Sequence, residues 1–357
     1  MAAAETKIEL AGQSVVLTYS NVAAEYEALR RRAIVVNRSH RGRMRFAGAK
    51  AADVLTGLVT NDVGTILPGQ GLYAAALSAK GKIVSDLRIL RTETDFITDA
   101  SPRSRDGWSG IVRKYVNPRL AKYSDESAVL SSLGVYGVQA RHVVEQMTGI
   151  GASALAIMPA YTHVSLTRDS ATIIVMHSPD LELEGFDLFV PAASFGALWS
   201  AAMHAHATPA GVGAWDIARI EAGRPEWGVD MDDSTMPQEA NLDTLNAISY
   251  TKGCYTGQEV VARVHFRGHV NRMLRGLKFT GALPPVKAAL FDSSSKQVGE
   301  ITSGVASPRL GAIGLGMVRR ETEIGATLKA RWAAGASGDQ SAGEAQAEVV
   351  ALPFADK

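Results

Sequence analysis

The chain has 357 residues, of which 46% are hydrophobic and 20% are charged, a balance typical of a soluble globular protein with two or three domains. Lys and Arg number 37 against 36 Asp and Glu, so the net charge of +1 indicates neither a nucleic-acid nor a membrane partner. The single cysteine excludes an internal disulfide and fits a reducing compartment. The segment MAAAETKIEL resembles no targeting signal, and no apolar run approaches the roughly 20 residues of a membrane helix, so we expect a cytoplasmic protein.

Helical and strand-like periods follow one another near the start of the chain. Val22, Tyr26 and Leu29 recur at helical spacing and predict a first helix that ends near Ala33. The alternating segment GRMRFAG predicts a short strand. The next segment repeats its apolar residues at i, i+3, i+4, i+7 and i+8, which predicts an amphipathic helix. These residues are Ala51, Val54, Leu55, Leu58 and Val59.

The segment GLYAAALSAKGKIVSDLRILR predicts a β-hairpin with Lys80-Gly81 as its turn. If the turn has two residues, Asp86 lies opposite Ala75, and Tyr73 is its diagonal neighbour on the same face. Asp86 is then either an outward polar residue of a half-exposed sheet, or a pocket carboxylate that binds a basic ring nitrogen or moves a proton.

The middle of the chain mixes helices and strands. SRDGWSGIVRKYV and GAWDIARIEAG predict helices, the second ending at Gly223, and Pro191 can open another. ATIIVMHSPDLELEGFDLFV predicts two strands, and Asp187 in the second needs a partner because it lies in an apolar run. After Arg272, short strands predict a small antiparallel barrel or sandwich, and AAGASGDQSAGEAQ predicts a flexible surface loop.

The only cysteine, Cys254, lies in the segment KGCYTGQE, which starts at Lys252. A lone cysteine is often a small buried hydrophobe, but the polar, bendable neighbours Gly253 and Tyr255 favour an accessible thiol. A nearby cation favours the thiolate form, and Lys252, or Arg263 if the chain folds back, would supply it. One thiolate cannot hold an iron–sulfur cluster alone, so any role with a cluster would be transient, shared or indirect.

A helix start and a cationic stretch follow the cysteine. Gln258 and Glu259 either begin a helix, where an acid in the first turn is favourable, or position the thiol loop, and the two are compatible. The cations are Arg263, Arg267, Arg272, Arg275 and Lys278. They form either a solvated face or an anion site for a carboxylate, a phosphate or an acidic partner. HFRGH lacks a third ligand, so no metal site is expected, and direct nucleic-acid binding is disfavoured because the stretch is short.

The string KGCYTGQEVVAR resembles the K-G-C-[YF]-x-G-Q-E signature of YgfZ-type folate-binding proteins, relatives of the glycine-cleavage T-protein. The resemblance runs over nearly the whole chain. It implies an α+β, three-domain, cloverleaf-like fold around a central tetrahydrofolate pocket, with a C-terminal antiparallel β-barrel. The implied regions are a folate-binding region over 1–125, a second α+β region over 126–271 that ends in the KGCYTGQE loop, and the barrel over 272–357.

The resemblance also assigns individual residues. Asp86 falls on the T-protein's catalytic aspartate, Tyr73 on a folate-lining tyrosine, and Asp187 on a pterin-binding glutamate. Three segments depart from the T-protein pattern. Where the T-protein has paired aspartates, this chain has Ser85-Asp86, and where it has the arginine of G-x-G-A-R-D, this chain has Trp215. The asparagine-rich stretch of the T-protein is replaced by ITDASPRS. The expected catalytic residues are Cys254 and Asp86. The expected folate-binding residues are Tyr73, Asp86, Asp187, Trp215, Lys252, Gly253, Tyr255, Gln258, Glu259 and Arg263.

Three functions are compatible with these residues. The preferred hypothesis is a tetrahydrofolate-binding accessory factor that uses Cys254 to mature or repair iron–sulfur proteins and to support dependent tRNA modification, with iron–sulfur client or assembly proteins as partners. The alternative is a tetrahydrofolate-dependent aminomethyltransferase or demethylase of one-carbon metabolism with Asp86 as acid/base. A third is a non-catalytic module whose cationic stretch docks an acidic partner in a salt-dependent way.

Overall fold

The computed structural model describes residues 5–334 and 341–355 as helices, sheets and a closed barrel. The α-helices are Val22–Arg31 (α1), Ala51–Leu58 (α2), Arg105–Tyr115 (α3), Ala140–Thr148 (α4), Ala152–Ala156 (α5), Phe195–His204 (α6), Val212–Glu221 (α7) and Gln258–Arg267 (α8). The strands are Thr6–Leu10 (β1), Gln13–Thr18 (β2), Ile34–Asn37 (β3), Gly42–Ala47 (β4), Gln70–Leu77 (β5), Ile83–Arg91 (β6), Asp95–Ala100 (β7), Lys122–Asp125 (β8), Leu130–Tyr136 (β9), His163–Arg168 (β10), Ala171–His177 (β11), Gly185–Pro191 (β12), Thr208–Ala210 (β13), Arg272–Thr280 (β14), Ala289–Phe291 (β15), Gln297–Ser307 (β16), Gly311–Arg319 (β17), Thr327–Trp332 (β18) and Gly343–Val350 (β19).

The described residues divide into two compact units. The first comprises Met1–Ser78, Val84–Asp216 and Asn246–Thr256, and the second comprises Ala79–Ile83, Ile217–Leu245 and Gly257–Lys357. Each unit contains its own apolar clusters. The three regions expected from the sequence, with boundaries after residues 125 and 271, stay a prediction.

In the first unit, a five-stranded sheet has the strand order β5-β6-β7-β4-β8. Its apolar face packs against α2 and α3, where Leu55 and Trp108 are buried among residues of β4 to β7. Side chains alternate along a strand, so Leu87 and Ile89 lie on this face and Arg88, between them, points to the opposite one. The sheet therefore has one apolar and one charged face.

A six-stranded sheet of the same unit has the order β10-β11-β12-β9-β3-β13, with β13 parallel to β3. Its apolar face packs against α4 and α6. On β12, Phe186 and Leu188 belong to that core, so Asp187 points to the other face. Asp187 there pairs with Arg88 of the five-stranded sheet, and this ion pair joins the polar faces of the two sheets.

In the second unit, β14-β17-β16-β15-β18-β19 close into an antiparallel barrel. Buried and exposed residues alternate along β18 and β19, whereas β17 has six consecutive buried residues. Leu277, Leu290, Ile301 and Val318 are fully buried in the apolar cluster of the barrel. The barrel and the α+β class, both predicted from the sequence, are confirmed.

Most predicted elements occur as expected, including the helices at α1, α2, α3 and α7. Two details differ. The hairpin is connected by five residues, 78–82, rather than by two, because the strands end at Leu77 and begin at Ile83. Gly81 within this connection has a φ of 70°, which glycine tolerates and other residues rarely adopt. Several elements were not predicted: the strands β1, β2, β3, β7, β8, β9, β10, β13 and β15, and the helices α4 and α5.

Two further expectations concern surfaces and membranes. The predicted loop AAGASGDQSAGEAQ includes residues 335–340, which lie outside the described residues. Within the part of the chain that the structure describes, no helix is both long and apolar enough to cross a membrane. The cytoplasmic location stays a prediction.

Candidate functional site

The charged face of the five-stranded sheet contains a buried pair of side chains from neighbouring strands. Tyr73 on β5 donates its phenolic hydrogen to Oδ2 of Asp86 on β6 at 3.0 Å. Tyr73 is 3% exposed and Asp86 is 8% exposed, so little water reaches this hydrogen bond. The structure thus brings together the two residues that the hairpin pattern placed on one face.

A second tyrosine extends this pair. Tyr161 stacks on Tyr73 with ring centroids 6.2 Å apart and planes inclined by 21°. It also donates to Oδ1 of Asp180 at 3.2 Å. Gly71 on β5 permits this packing, because a Cβ there would lie 2.6 Å from the Tyr161 carbonyl oxygen. The backbone therefore approaches closely enough for the two aromatic rings to stack.

Arg88, two residues after Asp86, is the centre of a buried ion-pair network. Its Nε and Nη2 donate to Oδ2 of Asp99 at 2.9 and 2.6 Å, and Asp99 lies directly across from it on β7. Its Nη1 donates to Asp187 and, at 3.4 Å, to Asp180. Asp187 also accepts a 2.5 Å hydrogen bond from Tyr136. The partner that the buried carboxylate of Asp187 required is therefore present.

Asp99 is bound from three sides by guanidinium groups. Arg41 Nε lies 2.6 Å from Oδ2, and Arg43 Nε lies 3.3 Å from Oδ1, in addition to Arg88. Burial alone would raise the pKa of Asp99, but Arg41, Arg88 and Arg43 hold it well below its usual range. Burial lowers the pKa of Arg43 to about 10, against the opposing effect of Asp99. The network is thus ionised at neutral pH.

Asp187 acts on two of its neighbours as well. Burial would lower the pKa of Arg88, but the carboxylates of Asp187 and Asp99 raise it well above its usual value. Burial, together with Asp187, raises the pKa of Tyr136 well above its ordinary value. Both groups therefore stay protonated and keep donating to Asp187.

Two positions at which the chain departs from the T-protein pattern lie inside this unit. Ser85 is fully buried, and its hydroxyl lies 2.8 Å from that of Ser104, so it faces away from Asp86 into the sheet's other side. Trp215 on α7 is 7% exposed, and the guanidinium carbon of Arg38 lies 3.9 Å from its ring centroid. The residues that replace an aspartate and an arginine are thus both buried.

The KGCYTGQE segment is fastened to the end of α2 by Lys252. Its Nζ donates to the carbonyl oxygens of Thr56 and, at 2.6 Å, Val59, where the helix leaves carbonyls without intrahelical partners. The ammonium also lies 4.5 Å from the ring centroid of Tyr255. Burial lowers the pKa of Lys252 to about 8, although Asp62 opposes this. Lys252 therefore serves as an anchor of the loop.

The other residues of the segment differ in exposure. Cys254 is exposed, as the sequence predicted, and so is Gly253, around which a Cβ would meet no described atom within 4 Å. Tyr255 is buried, and this burial, with Tyr250, raises its pKa to about 12. Gln258 and Glu259 open α8 as the helix reading expected, and Arg263 is an exposed residue of the same helix.

The structure thus connects three of the expected site residues. Tyr73 and Asp86 touch, and Asp187 joins them through Arg88 and Asp180. Sequence analysis missed the residues that connect them, which are Arg88, Asp99, Tyr161, Asp180 and Tyr136. Arginine and aspartate inside the apolar runs SDLRILR and FITDA were a usable signal, because buried charges require partners. Among the described residues, no group of three or more His, Cys, Asp or Glu is arranged to hold a metal ion.

Comparison with known proteins identifies the family. The GCVT N-terminal domain model matches residues 7–249, and the model of the glycine cleavage T-protein C-terminal barrel domain matches residues 272–356. An aminomethyltransferase of Rubrobacter xylanophilus is 30% identical over 319 residues, which cover 89% of this chain and 84% of the relative. An aminomethyltransferase of Thermotoga neapolitana is 28% identical, with 90% and 88% covered.

The fold comparison agrees with these matches. The crystal structure of the glycine cleavage system aminomethyltransferase T from Bartonella henselae superposes with a TM-score of 0.87 at 22% identity. The superposition covers 99% of this chain and 95% of that one, and it shows a shared fold. Aminomethyltransferases of this family use tetrahydrofolate, in agreement with the folate expected from the sequence.

The iron–sulfur function preferred from the sequence is wrong. The relatives that match most of the chain are named aminomethyltransferases, which favours the alternative hypothesis. The iron–sulfur partners and the tRNA modification were expected only as parts of that function and lose their support with it. Since the N-terminal family model alone matches residues 7–249 and the barrel model follows it, the chain belongs to the GcvT-like aminomethyltransferase superfamily.

Proposed function

We propose that this protein transfers a one-carbon unit from an amine to tetrahydrofolate, as an aminomethyltransferase or demethylase, with Asp86 as its acid/base. The observation that carries the proposal is the buried hydrogen bond between Tyr73 and Asp86. The T-protein's catalytic aspartate and a folate-lining tyrosine fall on these two positions by resemblance. Family membership supplies the reaction class, and the pair supplies the group that handles the proton.

The residues present fit a folate. Its flat ring carries N–H donors, and Asp86 offers a carboxylate that can accept several hydrogen bonds besides the one from Tyr73. Tyr73 and Tyr161 offer stacked aromatic rings beside that carboxylate, which suit a planar heterocycle. We propose that Asp86, Tyr73 and Tyr161 hold the ring. For Asp187 we propose a positioning role, because its two oxygens already accept from Tyr136 and Arg88.

The chemistry of the chain's own residues follows from this arrangement. Bound tetrahydrofolate supplies the amine nitrogen that accepts the one-carbon unit. Asp86 takes a proton from a bound amine and returns one to the amine that leaves, which is the work of a positioned carboxylate. Tyr73 fixes the orientation of that carboxylate through Oδ2, and burial strengthens every charge interaction around it. Arg88 and its aspartates hold β6 in place.

The proposal is tested with Asp86→Asn, which keeps the shape of the side chain and removes its basicity. We expect the rate of transfer from an aminomethyl or N-methyl donor to fall by about 10²- to 10⁴-fold, as for other general acid–base residues. Tetrahydrofolate binding, measured separately by calorimetry, should weaken far less. Asp53→Asn, at an exposed aspartate on α2, is the matched control and should leave both quantities unchanged.

Two results would count against the proposal. One is a wild-type protein that does not bind tetrahydrofolate. The other is an Asp86→Asn protein that transfers the one-carbon unit at the wild-type rate. The narrower placement in the YgfZ-type branch is a proposal supported by the KGCYTGQE string, and the test above does not depend on it.

A further inference from the structure

A buried arginine lies on the ring of Trp215. The guanidinium carbon of Arg38 is 3.9 Å from the ring centroid, and Arg38 and Trp215 are 3% and 7% exposed. The backbone of Arg38 is fixed at the end of β3, since its N–H donates to Ser132 at 2.9 Å and its carbonyl accepts from Arg43 at 2.8 Å. The guanidinium is therefore held in one place before any ligand arrives.

Arg38 differs from the other buried arginines of this unit in its partners. Arg41, Arg43 and Arg88 all form ion pairs with Asp99. Within the described residues, Arg38 forms no such pair, and neither its Nε nor the Nε1 of Trp215 donates a hydrogen bond. A buried guanidinium without an anion is unfavourable, so two adjacent unused donors mark a place where an acceptor from outside the chain would bind.

The charge around Arg38 favours an anion over a neutral acceptor. Burial lowers the pKa of His40 well below its usual value, and the positive charges of Arg38, Arg41 and Arg43 lower it further. Asp99 opposes this effect without reversing it, so His40 is neutral and adds no positive charge of its own beside Arg38. Planar guanidinium groups bind planar carboxylates through two parallel hydrogen bonds, which makes a carboxylate the best match.

We infer that Arg38, supported by Trp215, binds a carboxylate of the substrates. This inference rests on the proposed function and extends it. It concerns a second group, a carboxylate, that the first unit binds in addition to the folate ring at Asp86. Trp215 also occupies the position at which the T-protein pattern has an arginine. A carboxylate reaches this site from one of two sources, the glutamate tail of the folate or an amino-acid donor of the one-carbon unit.

The experiment compares ligands that differ in the carboxylate. Calorimetry with tetrahydrofolate and with 6-methyltetrahydropterin, which lacks the tail, tests the first source. Sarcosine and methylamine, which lacks the carboxylate, test the second. We expect Arg38→Gln to weaken one carboxylate ligand at least about tenfold and to leave its carboxylate-free counterpart unchanged, since charge-assisted pairs contribute this much. Trp215→Phe should weaken the same ligand by about threefold, through loss of stacking on the guanidinium and of the N–H donor.

Controls separate binding from folding. Arg32→Gln removes an exposed arginine at the end of α1 and should change no dissociation constant. Because Arg38 is buried without an anion, Arg38→Gln should not lower the thermal midpoint of the ligand-free protein. A clear drop would show that the guanidinium already stabilises the ligand-free fold through its stacking on Trp215, and it would overturn the inference. If Arg38→Gln does not fold, Arg38→Lys keeps the charge, loses the planar fork and should weaken the same ligand.

The outcomes distinguish this inference from the proposed function. If wild type binds tetrahydrofolate but Arg38→Gln binds every carboxylate ligand equally well, only the inference fails. Equal weakening of ligands with and without the carboxylate also overturns it. If wild type does not bind tetrahydrofolate but binds sarcosine through Arg38, the proposed function fails and the carboxylate site stands.

Discussion

The charged face of the five-stranded sheet and the KGCYTGQE loop are built in opposite ways. On the sheet, Asp99 and Arg88 are buried and each has several charged partners. In the loop, Cys254 is exposed, and Lys252 and the backbone N–H of Thr256 fasten the segment to α2. The proposed proton-transfer group, Asp86, would need a fixed, water-poor setting, and this face of the sheet provides it. The contrast teaches that the rarest residue of this chain lies in the less constrained of the two regions, and the buried carboxylates lie in the more constrained one.

Asp99→Asn should have the largest effect on stability. It leaves the guanidinium groups of Arg41, Arg43 and Arg88 buried with a weak acceptor, and breaking such a pair destabilises proteins by about 3–5 kcal/mol. The measurement is urea unfolding at pH 7. Asp125→Asn, which breaks a partly exposed pair with Arg105, is the matched control and should change the unfolding free energy by less than about 1 kcal/mol.

The pH dependence sharpens this test. The pKa of Asp99 is lowered in the folded protein, so its contribution is complete above the ordinary carboxyl range and shrinks as the pH falls towards the folded-state value. The stability difference between wild type and Asp99→Asn should therefore be constant from pH 7 to 5 and narrow in more acidic solution. A difference no larger than that of Asp125→Asn would mean that the network does not stabilise the sheet.

Lys252→Met tests the anchor of the loop. It removes the donor to two carbonyl oxygens at the end of α2, and we expect a loss of about 1–3 kcal/mol in the free energy of unfolding. Lys50→Met, at the exposed start of the same helix, should leave the free energy of unfolding close to the wild-type value. Equal effects of the two substitutions would show that the loop does not depend on the Lys252 ammonium.

The same lysine gives a second signature in alkaline solution. Its pKa is about 8 in the folded protein against an ordinary 10.5, so between these values the folded state has released a proton that the unfolded chain still holds. Stability therefore rises with pH in this window. Wild type should gain stability relative to Lys252→Met from pH 8 to 10.5, and a constant difference would contradict the lowered pKa.

Local patterns in the sequence predicted many of the elements but not the partners of buried charges. Helical and alternating periods found α1, α2, the hairpin and the barrel, and the hairpin pattern placed Tyr73 beside Asp86 although it assumed a two-residue turn where the structure has five residues. Arg88 and Asp187 are 99 positions apart in the chain and meet only because two sheets pack together, which no local period records. The short strand β15 was missed because three residues, Ala289–Phe291, are too few to show alternation.

Cys254→Ser should have the smallest effect. The iron–sulfur function that gave the thiol its importance is overturned, and the side chain is exposed at the tip of a loop that Lys252 already fastens. Exposed substitutions away from networks change stability by less than about 0.5 kcal/mol. We expect urea unfolding and one-carbon transfer to match wild type. A tenfold loss of the transfer rate with unchanged stability would show that the Cys254 thiol takes part in the reaction. It would also mean that an exposed loop, as well as the buried sheet face, takes part in the reaction.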